Sequence, residues 1–159
     1  MLKNFLIKIW ESWGIERDDK ILLHSSFKRT FKNIKNDGYN FMPKDILDSL
    51  IDYILPKGTL VVPTFNFSFN NGVKYNYYKT PSEMGILTEL ARQHPEATRT
   101  LNPVYSFAVF GNDASKFKNI DNESWYSKKS PFNKAILLIT FFLIKKAAPV
   151  TPTTYWDSK

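Results

Sequence analysis

The sequence contains no cysteine, so disulfide bonds and thiolate zinc sites are excluded. This composition suits the reducing cytosol, and we expect a cytoplasmic location. The apolar run from Ala135 to Ile144 includes Thr140 and falls far short of the roughly 20 residues that a membrane helix needs. The N-terminus has neither an uninterrupted apolar core nor a small-residue cleavage site. We therefore predict no signal peptide and no membrane association.

Several enzyme motifs are also missing. The sequence has no G-x-S-x-G nucleophile elbow, which argues against a hydrolase serine. It has neither G-x-x-x-x-G-K-[ST] nor G-x-G-x-x-G, so the usual phosphate-binding loops of nucleotide enzymes are absent. With two histidines and no H-E-x-x-H or paired histidine spacing, we predict no metal site.

What the chain does contain is enough apolar material for one folded domain. Its 159 residues are 43% hydrophobic and 16% aromatic, which predicts a buried core rather than disorder. A net charge of +7 favours anionic partners such as nucleic acid, phosphorylated cofactors or anionic lipid. Because the lysines are scattered, a solvated basic surface explains the charge equally well. A nucleic-acid-binding module is the weakest hypothesis, since no basic stripe or known motif occurs.

The spacing of apolar residues predicts helices alternating with strands. Such alternation is typical of an α/β fold, here with a mixed, largely parallel sheet flanked by helices. The predicted elements are a helix ending at Gly14, a strand from Lys20 to His24, a helix opening at Pro43 and ending at Pro56-Lys57-Gly58, a strand from Thr59 to Val62, a helix starting at Thr80, and a strand from Val104 to Phe110.

The start of the third helix carries the strongest local signal. Thr80 is the expected N-cap, Pro81 suits the first helical position, and Glu83 would close a capping box. We therefore assign Glu83 a structural role.

Small polar residues flank three of the predicted strands. The first strand leads into His24-Ser25-Ser26, the second into Thr64 and Phe65, and Ser106 precedes the third. Because open α/β sheets hold ligands at strand ends, this arrangement predicts a ligand site. The hydroxyls could hold a phosphate or an amide-containing ligand, although each alone is more often a turn or cap residue.

The two histidines receive different predictions. His94, near a helix C-terminus, is expected to be structural. For His24, a buried histidine satisfied by backbone groups and a ligand contact remain equal alternatives.

At these residues the sequence resembles the aminoglycoside 3-N-acetyltransferase family of antibiotic N-acetyltransferases. The match runs in order from about residue 20 to residue 134, and the ordered set is specific although no single segment is. The matching segments are Leu22-Leu23-His24-Ser25-Ser26, Gly58-Thr59-Leu60-Val61-Val62-Pro63-Thr64-Phe65, Thr80-Pro81-Ser82-Glu83-Met84-Gly85, Glu89, Arg92, Arg99-Thr100, Asn102-Pro103, Ser106-Phe107-Ala108-Val109-Phe110-Gly111 and Ser130-Pro131.

The resemblance implies an α/β acetyltransferase that moves an acetyl group from acetyl-CoA, without a metal, to an amino group of an aminoglycoside or amino sugar. It also implies two groups of acetyl-CoA contacts. Residues His24, Ser25 and Ser26 would line the CoA site, and Thr64, Phe65 and Ser106 would lie along the pantetheine arm. The phosphate charges of CoA suit the net charge of +7.

The sequence departs from the family in two places. Asn102-Pro103 stands where many relatives have His-Pro, and asparagine cannot serve as a base. After Ser130-Pro131 the family continues to a Thr-x-x-His segment whose histidine acts as general base, whereas Thr153-Thr154-Tyr155-Trp156 contains no histidine. We therefore assign no catalytic residue. Glu83, Glu89 and Glu123 are candidates by residue type only.

These departures divide the chain into a family-like region, 1–134, and a divergent tail, 135–159, as after a frameshift or a premature stop. The fold is expected to be incomplete relative to the family. Two functional hypotheses follow: an acetyl-CoA-dependent N-acetyltransferase that lacks the family's usual base, and a non-catalytic CoA-binding remnant or incompletely folded fragment.

Overall fold

The computed structural model describes residues 2–23 and 40–120, residues 128, 130, 131 and 133, and the backbone of residues 141–143. Short 3-10 helices occur at Ser68–Asn71 and Ala114–Phe117. The helices and strands are, in chain order, α1 (Leu2–Ser12), β1 (Lys20–Leu23), α2 (Pro43–Ile54), β2 (Thr59–Pro63), α3 (Ile86–Gln93), β3 (Thr98–Arg99), β4 (Phe107–Gly111) and β5 (Phe141–Leu143).

The five strands form one mixed sheet in the order β3-β4-β2-β1-β5. Strand β1 is parallel to β2 and β5, while β4 is antiparallel to β2 and β3. The predicted α/β class is confirmed. Two of the described pairings are parallel and two are antiparallel, so the sheet is mixed but not largely parallel. Strands β3 and β4 are antiparallel because the chain between them is too short for the crossover that parallel strands require.

Both faces of the sheet are covered, and the alternation of side chains along each strand assigns them. On β1, Ile21 and Leu23 join the larger core cluster with residues of all three described helices, while Leu22 joins a smaller cluster on the opposite face. On β2, Leu60 and Val62 contribute to the first cluster and Val61 to the second. The central strands are therefore buried on both sides. Among the described residues, no helix is long and apolar enough to cross a membrane.

The boundaries of the first two helices agree with the sequence. Helix α1 ends just before Gly14, and α2 begins at Pro43. Asp45 supports this start, since its carboxylate accepts a hydrogen bond from the backbone N–H of Met42 at 2.7 Å. The helix therefore has an acidic side chain in its first turn, where the helix dipole favours negative charge.

The predicted start of the third helix is wrong, because α3 begins at Ile86 after Gly85 rather than at Thr80. The polar groups that suggested a capping box make other bonds. The Thr80 hydroxyl accepts from the N–H of Asn76 at 2.7 Å, and Glu83 accepts from Ser68 at 2.7 Å. The segment before α3 is consequently an irregular loop held by side chains.

The strand predicted from Val104 begins only at Phe107. Asn102 explains the difference, since its side-chain oxygen accepts hydrogen bonds from the N–H groups of Val104 at 3.0 Å and Tyr105 at 2.7 Å. Such a turn bends the backbone away from the extended conformation.

Candidate functional site

The carboxyl ends of β1 and β2 meet at one edge of the sheet, because the two strands are parallel. The start of β4 lies at the same edge, since β4 is antiparallel to β2 and Phe107 faces Pro63. Thr64 and Ser106, which were singled out from the sequence, are therefore brought to one place. This is the end of an open α/β sheet at which ligands bind.

Thr64 and Ser106 are bonded to each other three times. The N–H of Thr64 donates to the Ser106 carbonyl at 2.8 Å, and the two hydroxyl oxygens lie 2.9 Å apart. The Ser106 hydroxyl also donates to the Thr64 carbonyl at 2.9 Å. Both residues are completely buried. The pair thus joins the exit of β2 to the entry of β4 below the surface.

Phe65 lies in the smaller core cluster. Its ring makes edge contacts with the rings of Tyr105 and Phe107, each with centroids 5.3 Å apart. Its side chain is 9% exposed, so most of its surface is used in packing. The predicted contact between Phe65 and a pantetheine arm stays a prediction.

Arg99 on β3 is the residue around which this edge is organised. Its side chain is buried, with Nε donating to the Ser106 hydroxyl at 3.2 Å. Its Nη1 donates to the carbonyls of Tyr77 at 2.6 Å and Thr80 at 3.0 Å. The guanidinium carbon lies 5.3 Å from the ring centroid of Tyr75. We refer to Thr64, Tyr75, Tyr77, Arg99 and Ser106 as the Arg99 cluster.

Arg99 belongs to the matching segments of the sequence, but its position along the chain did not predict that it lies at the site. Its neighbours Thr98 and Thr100 are polar, so the local sequence carries no sign that this arginine is buried. The sequence also could not supply its partners, because Tyr77 and Thr80 lie 22 and 19 residues from Arg99 along the chain.

Burial sets the protonation behaviour of this cluster. Desolvation lowers the pKa of Arg99, but a guanidinium remains charged at any physiological pH. Burial raises the pKa of Tyr75, and the neighbouring Arg99 charge opposes that rise. The cluster therefore holds a permanent cation beside a neutral phenol at neutral pH.

The two described glutamates considered as bases are poorly suited to that role. Hydrogen bonds from Ser68 and Phe67 lower the pKa of the exposed Glu83. Hydrogen bonds led by Arg92 lower the pKa of Glu89 to about 2. A general base works best with a pKa near the working pH, so both carboxylates are too weakly basic. Glu123 lies outside the described residues.

His94 is half-buried after the end of α3 and contacts α2 and β4 rather than the Arg99 cluster. Its Nδ1 accepts a hydrogen bond from the N–H of Glu96 at 3.2 Å, and its ring packs edge-on against Phe110. Its Nε2 lies 3.7 Å from the carboxylate of Asp48 on α2. The predicted structural role is confirmed, because these contacts join the end of α3 to α2.

The remaining site predictions, His24, Ser25 and Ser26, lie outside the described residues. Strand β1 ends at Leu23, the residue before them. Asn102, which stands where many relatives have the histidine of His-Pro, forms the turn before β4. Within the described ranges, no group of three or more His, Cys, Asp or Glu side chains is arranged to hold a metal ion.

Comparison with known proteins gives a consistent result. The family model described as aminoglycoside 3-N-acetyltransferase matches residues 22–138. A curated protein of Bacillus subtilis strain 168, the SPbeta prophage-derived aminoglycoside N(3')-acetyltransferase-like protein YokD, is 24% identical over 89% of this chain and 58% of its own length.

Solved structures show the same fold. The crystal structure of YokD from Bacillus subtilis aligns with a TM-score of 0.70 at 24% identity, covering 83% of this chain and 59% of that protein. A complex of AAC-IIIb with CoASH aligns with a TM-score of 0.68 at 19% identity, covering 85% and 55%. A sisomicin-bound AAC-VIa aligns with a TM-score of 0.69 at 18% identity, covering 86% and 56%. The chain thus spans less than two thirds of the length of each of these relatives.

Proposed function

The chain belongs to the aminoglycoside 3-N-acetyltransferase family, and on that basis we propose that it binds acetyl-CoA at the carboxyl ends of β1 and β2. The supporting observation is the family match over residues 22–138, which includes every residue predicted for the acyl-donor site. His24, Ser25 and Ser26 would contact CoA, and the wall formed by Thr64, Phe65 and Ser106 would run beside the pantetheine arm.

The acceptor we propose is an amino group of an aminoglycoside or amino sugar. The related AAC-VIa binds sisomicin and the related AAC-IIIb binds CoASH, which supports both substrate classes. The absence of cysteine fits action in the cytoplasm. The division into a family-like region, 1–134, and a divergent tail, 135–159, is part of the same proposal. Strand β5 pairs with β1, so the described part of the tail belongs to the sheet.

The reaction requires a base, and neither Glu83 nor Glu89 is suited to that role. A neutral amine attacks the thioester carbonyl, a C–N bond forms, the C–S bond breaks, and CoA leaves as its thiol after the amine has lost a proton. A positioned base that takes this proton typically contributes about 10²–10⁴-fold to the rate. Glu83 and Glu89 have lowered pKa values. This observation favours a second candidate function, acyl-donor binding without turnover.

One pair of measurements separates the two functions. The full chain is incubated with acetyl-CoA and a panel of aminoglycosides and amino sugars, and thiol release and product mass are followed. CoA binding is measured in parallel by calorimetry. Turnover above a protein-free blank supports the transferase, and saturable CoA binding without thiol release supports the second function. A folded chain that does neither would overturn both.

A matched pair of serine variants tests the location of the site. We expect Ser26→Ala to weaken CoA binding about tenfold, the effect of losing one hydrogen bond to a charged group. Ser12→Ala is the control, because the Ser12 hydroxyl only donates to the carbonyl of Ile9 at the end of α1. Equal CoA affinity of the two variants would show that the CoA site does not include Ser26.

A further inference from the structure

The loop that joins β2 to α3 brings exposed positive charge to the edge of the sheet that holds the Arg99 cluster. Lys74 and Lys79 on this loop are both exposed. Arg99 anchors the loop by donating to the carbonyls of Tyr77 and Thr80. Because β3 and β1 lie on opposite sides of the β4–β2 pair, this charge lies beside the proposed acetyl-CoA site rather than within it.

The carboxylates nearest to these cations are already hydrogen-bonded within the chain. Glu83, the one acidic residue in the sequence of the loop, accepts from the Ser68 hydroxyl and from the N–H of Phe67. Glu89 on α3 accepts from Arg92 with both of its oxygens. An ammonium group of a ligand would have to compete with these existing bonds.

This distribution of charge decides which amines the edge attracts. An aminoglycoside carries several ammonium groups, and a polycation is bound best by a surface that offers unpaired carboxylates. The chain has a net charge of +7 and exposes lysines at this edge, so its field repels such a molecule. A molecule that carries a phosphate or a carboxylate besides its amine is attracted instead.

Exposed aromatic rings on the same loop provide a surface for a sugar ring. Tyr78 is 81% exposed and Phe69 is 45% exposed. The side-chain oxygen of Asn76 accepts hydrogen bonds from the N–H groups of Tyr78 and Lys79, at 3.0 and 2.9 Å. This turn therefore presents an aromatic ring and a lysine at adjacent positions. Such rings pack against the apolar face of a sugar.

We propose that the acceptor is an amino sugar that also carries an anionic group, a phosphate or a carboxylate, and that Lys74 and Lys79 bind this group beside Tyr78. The inference rests on the proposed acetyl transfer and narrows its acceptor to anionic amino sugars in place of polycationic aminoglycosides. The reaction is unchanged: the neutral amine gains the acetyl group and loses a proton, and CoA leaves as its thiol.

A panel of acceptors that differ in charge tests the substrate class. The panel contains glucosamine, glucosamine 6-phosphate, the corresponding amino uronic acid and the aminoglycoside kanamycin. Each is titrated by calorimetry into the full chain saturated with CoA, and thiol release from acetyl-CoA is followed in parallel. The phosphate and the carboxylate sugar together show which anionic group is preferred.

We expect at least one acidic sugar to bind about tenfold more tightly than glucosamine at low ionic strength, with a difference that shrinks as salt is added. Tighter binding of kanamycin than of either acidic sugar would overturn this inference and leave the proposed function standing. CoA binding without binding of any acceptor would also overturn this inference alone. A folded chain that binds neither CoA nor an acceptor would overturn the proposed function as well.

Two double variants test the location of the anionic group. One combines Lys74→Gln with Lys79→Gln, and the control combines Lys57→Gln with Lys118→Gln. All four lysines are exposed, and Lys57 precedes β2 at the opposite end of the sheet. Both double variants lower the net charge equally, so a difference between them reports the position of the charges and not the overall field.

We expect the loop variant to bind the preferred acidic sugar about tenfold more weakly than wild type, from up to about fivefold for each exposed ion pair. Its affinities for glucosamine and CoA should stay close to wild type, as should every affinity of the control. Equal losses in the two double variants would overturn the inference. A matching loss of CoA affinity in the loop variant would do the same, because the lysines would then serve the acyl donor.

Tyr78→Ala tests the contribution of the aromatic ring. Packing against a sugar does not depend on the acidic group, so we expect about threefold weaker binding of glucosamine and of both acidic sugars. Met42→Ala is the control, because Met42 is an exposed apolar residue before α2, 67% exposed. Wild-type affinities in a folded Tyr78→Ala would contradict the contact between the sugar and this ring.

Discussion

Glu89 is a partly buried carboxylate that is held in its ionised form. Arg92 donates to both of its oxygens, at 2.8 and 2.6 Å, and the N–H of Ser82 donates at 2.7 Å. These bonds lower its pKa from 4.5 to about 2. A carboxylate with a depressed pKa stabilises the folded protein above its unfolded pKa and loses that contribution as the pH falls through the folded value.

We predict that Glu89→Gln lowers the free energy of unfolding at pH 7 by up to about 3 kcal/mol, from about 1.4 kcal/mol for each pH unit between the two pKa values. The difference from wild type should shrink as the pH falls from 4.5 to about 2. Urea unfolding over this range provides the measurement.

Glu83→Gln is the control for that series, because Glu83 is exposed and its bonds are screened by solvent. Its effect at neutral pH should be clearly smaller than that of Glu89→Gln. A Glu89→Gln difference that does not change with pH would show that packing, rather than charge, explains the loss.

At the residue scale, the sequence indicated which residues deserve attention, but it did not predict the contacts that each of them makes. Thr64 and Ser106 were singled out by their positions beside strands, but they meet because β4 is antiparallel to β2, which the sequence did not predict. Arg99 was not assigned because its three partners lie on other segments, and residue type gives no measure of burial. The same limit applies to Glu83, whose partner Ser68 is 15 residues away in the sequence.

At the scale of elements, the junction between α2 and β2 meets the end of β4 at two glycines. A Cβ on Gly111 would lie 2.2 Å from the Gly58 carbonyl oxygen, and Gly111 has a φ of +89°. Backbone from separate elements therefore approaches so closely that no side chain fits. This close contact lies beside the start of β2 and the end of β4, where Thr59 pairs with Gly111.

We predict that Gly111→Ala destabilises the protein by about 3 kcal/mol or more, since backbone strain and a clash with the main chain add. Gly72→Ala is the matched control. Gly72 also has a positive φ, +81°, but its Cβ would meet nothing within 4 Å. It should cost only about 1 kcal/mol. Thermal unfolding of both variants checks the difference, and equal costs would show that the close approach is unimportant.

The start of α3 shows why an element boundary can be missed. Thr80, Pro81 and Glu83 form a strong local signal, yet the loop uses their polar groups to bind Asn76 and the 3-10 helix at Ser68–Asn71. Local propensity is a weak prior, and partners elsewhere in the chain override it. The start of α2 was predictable because its contacts are local: Asp45 bonds to Met42, three residues away.

At the scale of the whole molecule, Asp113 links β1, β2 and the 3-10 helix at Ala114–Phe117, at the end of the sheet opposite the Arg99 cluster. Its buried carboxylate lies 2.7 Å from Lys20 Nζ and 2.5 Å from Lys116 Nζ. Its N–H donates to the Thr59 hydroxyl at 3.1 Å. Burial raises the pKa of Asp113, but the two lysines outweigh it, and the pKa falls below its ordinary value.

We predict that Asp113→Asn lowers the free energy of unfolding at neutral pH by about 2 kcal/mol, less than for a fully buried pair because the lysines are partly exposed. Asp52→Asn, which breaks the exposed pair with Lys3, should cost at most about 0.5 kcal/mol. Urea unfolding at neutral pH measures both. Equal losses would refute a structural role for the buried carboxylate.

The alternation of helices and strands was sufficient to predict the fold class, but the order of strands was not predictable. That β4 lies inside the sheet, between β3 and β2, depends on pairings that sequence spacing does not encode. Both faces of β1 and β2 are covered, which the apolar runs in these strands did indicate.

The separation between the Asp113 ion pairs and the Arg99 cluster has an evolutionary consequence. Strands β1 and β2 are four and five residues long, so the two networks are about 15 Å apart. Substitutions at sites this distant usually have additive effects on stability. Substitutions can therefore accumulate at the edge that holds the Arg99 cluster while the Asp113 ion pairs stay unchanged, and the stability that these pairs contribute lets the other edge tolerate destabilising changes.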